Sequence, residues 1–326
     1  MKACAIFLCA IILCGCGHDV YRYTEGKIYG TYYRVVYESP RVWDKELKDC
    51  MEEVNVSLSM FNPESVVSRL NRNETRQVDS LFVRLFRMAQ YVNRETDGAF
   101  DITVAPLINA WGFGYKQGVM PDSGRIDTLL QWVGMEKLEL RGDTLVKMVK
   151  ETEIDASSIA KGLGVDRVAE FLEKQGVKNY MVDIGGEIRV KGMSGKGRPW
   201  RIGIDRPEDD PQVLNRQLQL IISLQNGALA TSGNYRNFYV KEGKKYAHTV
   251  NPRTGYLVQR DIVSSTVYAS TCMEADAYAT AFMVLGLEES REIIAAHPEL
   301  EACFIYTDGQ NLKIWMTDRF KTFVLE

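Results

Sequence analysis

A carboxylate and a hydroxyl stand four residues apart in the segment Asp276-Ala-Tyr-Ala-Thr280. Because residues four apart share one face of a helix, their oxygens would lie side by side. Hard oxygen ligands of this kind suit Mg²⁺, which takes one or two carboxylates from a protein and fills its remaining positions with water and phosphate oxygens. From these residues alone, the alternative is an acidic helix start with a threonine packed behind it.

A second group of polar residues opens another predicted helix, in the segment Asp155-Ala-Ser-Ser158-Ile-Ala-Lys161-Gly-Leu-Gly164. The free N–H groups of a helix start attract anions and Lys161 adds a positive charge, so this segment could bind phosphate. It is not a Walker A loop, because Gly-x-x-x-x-Gly-Lys-Ser/Thr is absent here, and it is not a Rossmann fingerprint. Capping of the helix by Asp155 or Ser157 is the structural alternative.

Histidine is scarce, and the chain contains only His18, His248 and His297. His248 stands at the end of a predicted strand, directly before the turn residues Asn251-Pro-Arg-Thr-Gly255. The residues alone leave two interpretations of His248, a structural imidazole or a group that transfers protons. The segment Thr231-Ser-Gly233 follows an apolar strand and by itself predicts a turn.

The composition is that of a globular protein, with 326 residues of which 45% are hydrophobic and 25% charged. The formal net charge is -3, and no basic block or acidic tail is present, which argues against nucleic acid as a partner. Beyond the N-terminal segment the cysteines are Cys50, Cys272 and Cys303. A scattered, odd set without a CxxC pair predicts small buried residues, and neither a disulfide framework nor a zinc site.

The N-terminus has the pattern of a bacterial signal peptide, with Lys2 before an unbroken stretch of apolar and small residues at 3–13. The stretch is too short for a transmembrane helix of about 20 residues, and no later segment is long and apolar enough to span a bilayer. The segment Leu13-Cys14-Gly15-Cys16 resembles a lipobox. We therefore expect a leader of residues 1–15 and a mature chain of residues 16–326 that carries lipid on Cys16. A secreted protein cleaved nearby is the alternative.

Hydrophobic periodicity predicts helices after Ser39-Pro40, over residues 79–94, 159–174 and 274–285, and up to His297. A loop rich in glycine and aromatic residues is predicted over residues 99–114, and Asn226-Gly227 is a hairpin turn signal. Strands are predicted over residues 27–37, 180–184, 187–190, 200–205, 218–224, 302–306 and 312–316. Helices that interrupt antiparallel hairpins indicate the α+β class, a single large domain with mixed and antiparallel sheets packed with helices.

These polar segments belong to a longer pattern that runs from about Tyr29 to the C-terminus. Its pieces, in chain order, are Ser59-Met-Phe61-Asn-Pro-Glu-Ser65, Ser68-Arg-Leu-Asn71, Thr96-Asp-Gly-Ala-Phe-Asp-Ile-Thr-Val104, Pro106-Leu107, Trp111-Gly-Phe-Gly114, residues 155–166, Gly185-Gly186, Thr231-Ser-Gly233, residues 248–255 and residues 276–280. Taken together, they resemble the bacterial ApbE family of FAD:protein FMN transferases.

The resemblance implies that Mg²⁺ is held by Asp276, by Thr280 and by a group at the position of Ser158, and that the diphosphate of FAD supplies further ligands. It implies that Lys161 lies near the phosphates and that His248 assists proton transfer. The flavin-nucleotide contacts that carry over are Tyr29, Phe61, Ala99, Phe100, Asp101, Asp155, Lys161 and Val250.

The implied reaction is the Mg²⁺-dependent transfer of the FMN half of FAD to a threonine or serine hydroxyl of an acceptor protein, with release of AMP. Two alternatives stay open: a Mg²⁺-dependent FAD pyrophosphatase that yields FMN and AMP, and a lipoprotein that binds flavin without turnover. The implied acceptor is a subunit of a membrane electron-transfer complex. We therefore expect the chain to be anchored by lipid to a bacterial membrane, on its periplasmic or extracytoplasmic side.

Overall fold

The computed structural model describes residues 20–114, 120–207, 218–234, 238–241, 244–309 and 311–325. The predicted leader and Cys16 lie outside these residues. Numbered along the chain, the strands are β1 Tyr21–Ile28, β2 Thr31–Glu38, β3 Leu138–Arg141, β4 Thr144–Lys147, β5 Tyr180–Ile184, β6 Glu187–Lys191, β7 Trp200–Asp205, β8 Leu218–Leu224, β9 Asn226–Gly233, β10 Phe238–Lys241, β11 Lys244–Ala247, β12 Ile262–Ala269, β13 Glu301–Thr307 and β14 Leu312–Met316.

The α-helices alternate with these strands along the chain. They are α1 Asp44–Leu58, α2 Val66–Asn71, α3 Ser80–Glu95, α4 Ala105–Ala110, α5 Ser123–Leu130, α6 Ser157–Lys174, α7 Cys272–Leu285, α8 Leu287–Ala296 and α9 Asp318–Lys321. A 3₁₀ turn covers Met135–Lys137. No helix in the described ranges is long and apolar enough to cross a membrane.

Eight of the described strands form one antiparallel sheet in the order β1-β2-β5-β6-β9-β12-β13-β14. The remaining described strands pair as the antiparallel ribbons β3-β4, β7-β8 and β10-β11. One face of the large sheet packs against α1 and α6 through residues such as Val182 and Leu172. The other face packs against β7-β8 through residues such as Ile188 and Trp200. This arrangement confirms the predicted α+β class.

Helix α7 is the most enclosed helix of the site, since almost all of its residues are buried. A helix that is mostly apolar around its circumference belongs inside a protein, and the polar residues Asp276 and Thr280 line the cleft. Its first turn is capped by Thr271, whose hydroxyl accepts a hydrogen bond from the Glu274 amide at 3.3 Å. Gly286, at φ +83°, follows its last residue. The three cysteines of the described chain are free and buried, as predicted.

Three predictions about elements were wrong, in addition to the turn predicted at residues 231–233, which belongs to a strand. The strand predicted over residues 27–37 is divided between two strands, β1 and β2. The turn between them is made by Tyr29 and Gly30, and both residues have positive φ. The predicted loop over residues 99–114 contains α4. Asn226-Gly227 does not close a hairpin, because β8 pairs with β7 whereas β9 pairs with β6 and β12. A glycine is needed there for a different reason, since a Cβ on Gly227 would lie 2.4 Å from the Tyr268 ring.

Candidate active site

A cleft of about 1150 Å³ opens between the large sheet, the crossing of α6 and α7, and the loop that follows α3. Ten of the twelve residues that the sequence assigned to cofactor, metal or catalysis line this cleft. They are Ala99, Phe100, Asp101, Asp155, Ser158, Lys161, His248, Val250, Asp276 and Thr280. The fold therefore brings together segments that are up to about 180 residues apart in the chain.

The crossing of α6 and α7 is held by backbone groups that bond to buried carboxylates. Asp166 on α6 accepts the amide hydrogens of Cys272 and Met273, at 3.0 and 2.9 Å, at the start of α7. One turn along, Asp276 on α7 accepts the Gly162 amide hydrogen at 2.9 Å. Residue 166 thus faces residue 272, and residue 162 faces residue 276, so the two helices run antiparallel. One more step of four residues along each helix brings Ser158 to the level of Thr280.

This register groups the three predicted metal ligands at one end of the helix crossing. Asp276 is buried, with 3% of its surface exposed, and only its Oδ2 is engaged by Gly162. The Thr280 hydroxyl lies 3.3 Å from the Ser232 hydroxyl on β9. Together with Ser158, this end of the crossing therefore presents the Asp276 carboxylate and several hydroxyls, a donor set that suits Mg²⁺ bound partly by phosphate. Among the described residues, no cluster of three or more His, Cys, Asp or Glu side chains forms a metal site.

Lys161 lies between two buried carboxylates. Its Nζ forms an ion pair with Oε1 of Glu187, the first residue of β6. Burial alone would lower the pKa of Lys161, but the charges of Glu187 and Asp276 raise it above its ordinary value, so the ammonium stays protonated. Burial and the charge of Glu187 together raise the pKa of Asp276 to about 7, although the nearby Lys161 charge lowers it. A cation next to Asp276 would offset this penalty.

Two further buried carboxylates order the loop that follows α3 and the start of α6. Asp101 accepts the amide hydrogens of Thr103 at 2.7 Å and Met135 at 3.2 Å, and burial raises its pKa to about 6. Asp155 accepts the Ser157 amide hydrogen at 2.8 Å and also lines the cleft, but it is not the cap of α6, because the N-cap residue is Ala156 and no side chain forms a cap hydrogen bond. Burial raises the pKa of Asp155 as well.

His248 lies at the mouth of the cleft and is half-buried. Its ring centroid is 6.3 Å from that of Phe113, with the rings edge to face. Next to it, the Thr249 hydroxyl donates to Oδ1 of Asn234 at 2.9 Å. Val250 is buried and pairs with Leu257 across the turn. These contacts hold the segment that carries His248 beside the cleft.

The turn after Val250 is tied to two other segments that were singled out in the sequence. The Trp111 indole donates to the Gly255 carbonyl at 2.8 Å, and Gly255 has φ +76°. Arg253 donates to the carbonyl oxygens of Thr96 and Asp97 at 2.7 and 2.8 Å. The aromatic loop, the end of α3 and the histidine turn therefore form one wall of the cleft.

Residues 231–233 are part of strand β9, which corrects the turn predicted from these residues alone. The Thr231 hydroxyl lies 2.9 Å from that of Thr266 on the neighbouring β12, and both residues line the cleft. This row of hydroxyls continues from the sheet to Thr280 on α7 through Ser232.

Comparison with known proteins identifies the family and the fold. The family model described as the ApbE family matches residues 29–304. The FAD:protein FMN transferase of Vibrio cholerae serotype O1 is 36% identical over 96% of this chain and 96% of its own length. That of Haemophilus influenzae is also 36% identical, over 87% of this chain and 86% of its own length.

The chain belongs to the ApbE family.

Solved structures agree with this assignment. The flavin transferase ApbE from Vibrio cholerae superposes with a TM-score of 0.83 at 36% identity, and covers 94% of this chain and 99% of its own. The Pseudomonas stutzeri flavinyl transferase ApbE in its apo form gives a TM-score of 0.82 at 29% identity, over 94% of this chain and 97% of its own.

Two residues to which the ApbE resemblance assigned nucleotide contacts do not line the cleft. Tyr29 sits in the β1-β2 turn at φ +51°, and its hydroxyl donates to the Met51 carbonyl of α1 at 2.6 Å. Its ring packs beside Gly164 of α6, so it locks the hairpin to both helices. Phe61 lies in the loop after α1 and is 74% exposed.

Glu187 lines the cleft in this ApbE chain, yet the sequence did not single it out. It follows Gly185-Gly186, whose φ values of +69° and +104° make the tight turn between β5 and β6. The only signal in the sequence was an acidic residue at the start of a strand that is otherwise apolar on one face. Its partner Lys161 lies on another element, so their pairing could not be read from spacing.

Proposed function

We propose that this chain is a FAD:protein FMN transferase that uses Mg²⁺ to transfer the FMN half of FAD to a threonine or serine hydroxyl of an acceptor protein. The proposal is supported by membership of the ApbE family and by relatives of that name at 36% identity. The observation that carries it is the grouping of Ser158, Asp276 and Thr280 beside Lys161 at the crossing of α6 and α7.

The charge of the cleft favours a ligand that arrives with a cation. Seven carboxylates and three basic side chains are among its described lining residues, a formal charge of -4 when every carboxylate is ionised. The acidic residues are Glu25, Asp101, Asp155, Asp183, Glu187, Asp205 and Asp276, and the basic ones are Lys27, Arg34 and Lys161. A bare diphosphate would be repelled by this field, whereas a diphosphate paired with Mg²⁺ would not.

The residues present fit Mg²⁺ in number and kind. Asp276 would supply the carboxylate through Oδ1, because Oδ2 is held by the Gly162 amide. Thr280 and Ser158 would supply neutral oxygens from the same end of the crossing. When bound, Mg²⁺ supplies positive charge that stabilises the phosphate oxygens during transfer.

The side chains of the cleft would divide the remaining work. The acceptor hydroxyl oxygen forms a bond to the phosphorus on the FMN side of FAD, and the bond from that phosphorus to the bridging oxygen breaks. AMP departs with the bridging oxygen. His248 would take the hydroxyl proton at a ring nitrogen, since it lines the cleft and an imidazole titrates near neutral pH. Lys161, held protonated, would stabilise charge on the diphosphate.

Product analysis separates this proposal from its alternatives. The chain is incubated with FAD and Mg²⁺ together with a recombinant extracytoplasmic domain that carries a threonine acceptor, and nucleotides are separated by chromatography. AMP release without free FMN is the expected result. Equal amounts of free FMN and AMP would identify a pyrophosphatase, and FAD that stays intact would identify a flavin-binding protein; either result would overturn the transferase proposal.

The lipid anchor is a further part of the proposal. It is supported by the apolar leader and by Cys16 in a lipobox-like segment. Lipid on Cys16 would hold the enzyme at the periplasmic or extracytoplasmic face of a bacterial membrane, beside acceptors that belong to membrane electron-transfer complexes. Cell fractionation of the chain and of its Cys16→Ser variant tests this. Membrane association that the variant retains in full would contradict the anchor.

A further inference from the structure

The second carboxylate oxygen of Glu187 has an unusual environment. Glu187 is buried, with 2% of its surface exposed, and it lines the cleft. Its Oε1 is engaged by Lys161, whereas Oε2 is buried without any hydrogen-bond partner in the described part of the chain. Buried carboxylate oxygens normally accept hydrogen bonds, because their desolvation is otherwise uncompensated. The orphaned oxygen therefore points to a donor that a ligand brings.

The position of Glu187 limits which donor this can be. Lys161, Asp183 and Asp276 are the charged groups that interact with it, and Lys161 and Asp276 face the diphosphate in the proposed function. An ionised carboxylate repels phosphate oxygens, so Oε2 cannot bind the diphosphate itself. The donor must be a neutral group joined closely to the phosphates. In FAD the ribityl chain carries a hydroxyl on the carbon next to its phosphoester carbon, whereas the corresponding carbon of the adenosine ribose carries the ring oxygen.

We propose that Oε2 of Glu187 accepts a hydrogen bond from the ribityl hydroxyl next to the FMN phosphate, an inference that rests on the function proposed above. Glu187 therefore has two roles. Its Oε1 holds Lys161 toward the diphosphate, and its Oε2 binds the ribityl chain. The same pair of contacts distinguishes a flavin nucleotide from nucleotides such as ADP, which have the diphosphate and lack the ribityl chain. Hydrogen bonds to a charged acceptor are the strong kind, and specificity follows from leaving the acceptor unpaired with the wrong ligand.

Binding of two nucleotides in the presence of Mg²⁺ tests this assignment. FAD affinity is measured by flavin fluorescence and ADP affinity by calorimetry, for the wild type, Glu187→Gln and Glu139→Gln. The Glu187→Gln variant keeps the side-chain shape and an acceptor for Lys161. Glu139→Gln is the control, because Glu139 on β3 is not among the residues that line the cleft and its carboxylate is engaged by Arg141.

The expected result is that Glu187→Gln binds FAD about tenfold more weakly, the value of one charge-assisted hydrogen bond, while its ADP affinity changes less than about twofold. The control should leave both affinities nearly unchanged. A FAD analogue whose ribityl chain has no hydroxyls should bind the wild type weakly and lose nothing further in Glu187→Gln.

Three results would overturn the assignment. Equal losses for FAD and ADP would mean that Glu187 acts only through Lys161. Unchanged FAD affinity in Glu187→Gln would mean that Oε2 does not contact the ribityl chain. The same conclusion would hold if this variant bound FAD normally and only its transfer of FMN to the acceptor slowed. An equal further loss with the hydroxyl-free analogue would exclude the polyol. If the wild type itself fails to bind FAD, the proposed function fails, which is a different result from failure of the Glu187 assignment.

Discussion

Gly162 is the point at which α6 and α7 touch, and a single methyl group there should disable the site. A Cβ on Gly162 would lie 2.4 Å from the Cys272 carbonyl oxygen and 2.7 Å from the Met273 Cα. Both are backbone atoms, so no side chain can move aside. Restoring an ordinary contact of about 3.4 Å requires the helices to separate by about 1 Å.

That separation acts directly on the predicted metal ligands. The Gly162 amide and Asp276 are 2.9 Å apart, and a further 1 Å or so would break their hydrogen bond. Gly162→Ala should therefore reduce flavin transfer about 100-fold, the usual effect of misplacing catalytic groups by this distance. Overpacking should cost about 1–3 kcal/mol of unfolding free energy, of which alanine's better helix propensity recovers up to about 1 kcal/mol.

The assay compares Gly162→Ala with Gly164→Ala, by urea unfolding and by flavin transfer over a range of Mg²⁺ concentrations. A Cβ on Gly164 would lie 2.8 Å from the Tyr29 ring, a side chain that can shift, so this control should retain activity within about threefold. We expect the Mg²⁺ concentration needed for half-maximal transfer to rise in Gly162→Ala and to stay unchanged in Gly164→Ala. Wild-type transfer and wild-type Mg²⁺ dependence in Gly162→Ala would refute this expectation.

Four further substitutions test other parts of the account. Asp276→Asn keeps an acceptor for the Gly162 amide but loses the charge, so transfer should fall at least about 100-fold without unfolding, as measured by product formation and circular dichroism. His248→Ala should slow transfer about 100-fold or more while FAD affinity, measured by fluorescence, stays near the wild-type value. Asp166→Ala removes the partner of Arg189 and two bonds to α7, so urea unfolding should show a loss of about 3–5 kcal/mol. Burial raises the pKa of Asp101 from 3.8 to about 6, so ionisation of this carboxyl opposes folding. As pH rises from 4 to 7, the unfolding free energy of the wild type should fall by up to about 3 kcal/mol relative to that of Asp101→Asn. An equal pH dependence in both proteins would contradict this.

Much of the fold could be predicted because several of its strands are short apolar runs between clear turn residues. The predicted bounds of β5, β7 and β8 coincide with those in the structure. The β1-β2 hairpin could not be predicted, because Tyr29-Gly30 is a weak turn signal inside a run rich in tyrosine and valine. Asn226-Gly227, in contrast, is a strong turn signal where the structure has no hairpin. The glycine is there because it makes room for the Tyr268 ring.

The candidate site followed from motifs whose chemistry is local. Asp276 and Thr280 share one face of α7, and Asp155 and Lys161 lie at the start of α6, so spacing made each pair a candidate, while their roles followed only from the resemblance to the ApbE family. Relations between elements could not be predicted in this way. The pairing of Glu187 with Lys161 depends on how β6 lies against α6, and the removal of Tyr29 from the cleft depends on its hydrogen bond to α1.

The intact mass of an acceptor domain after incubation with the chain, FAD and Mg²⁺ tests the central claim most directly. The account predicts a mass increase equal to FMN less one water, lost when the acceptor threonine is replaced by alanine, when a chelator is added, or when the enzyme carries Asp276→Asn. An acceptor that gains no mass while FAD is consumed, or one that gains the same mass with Asp276→Asn, would contradict it.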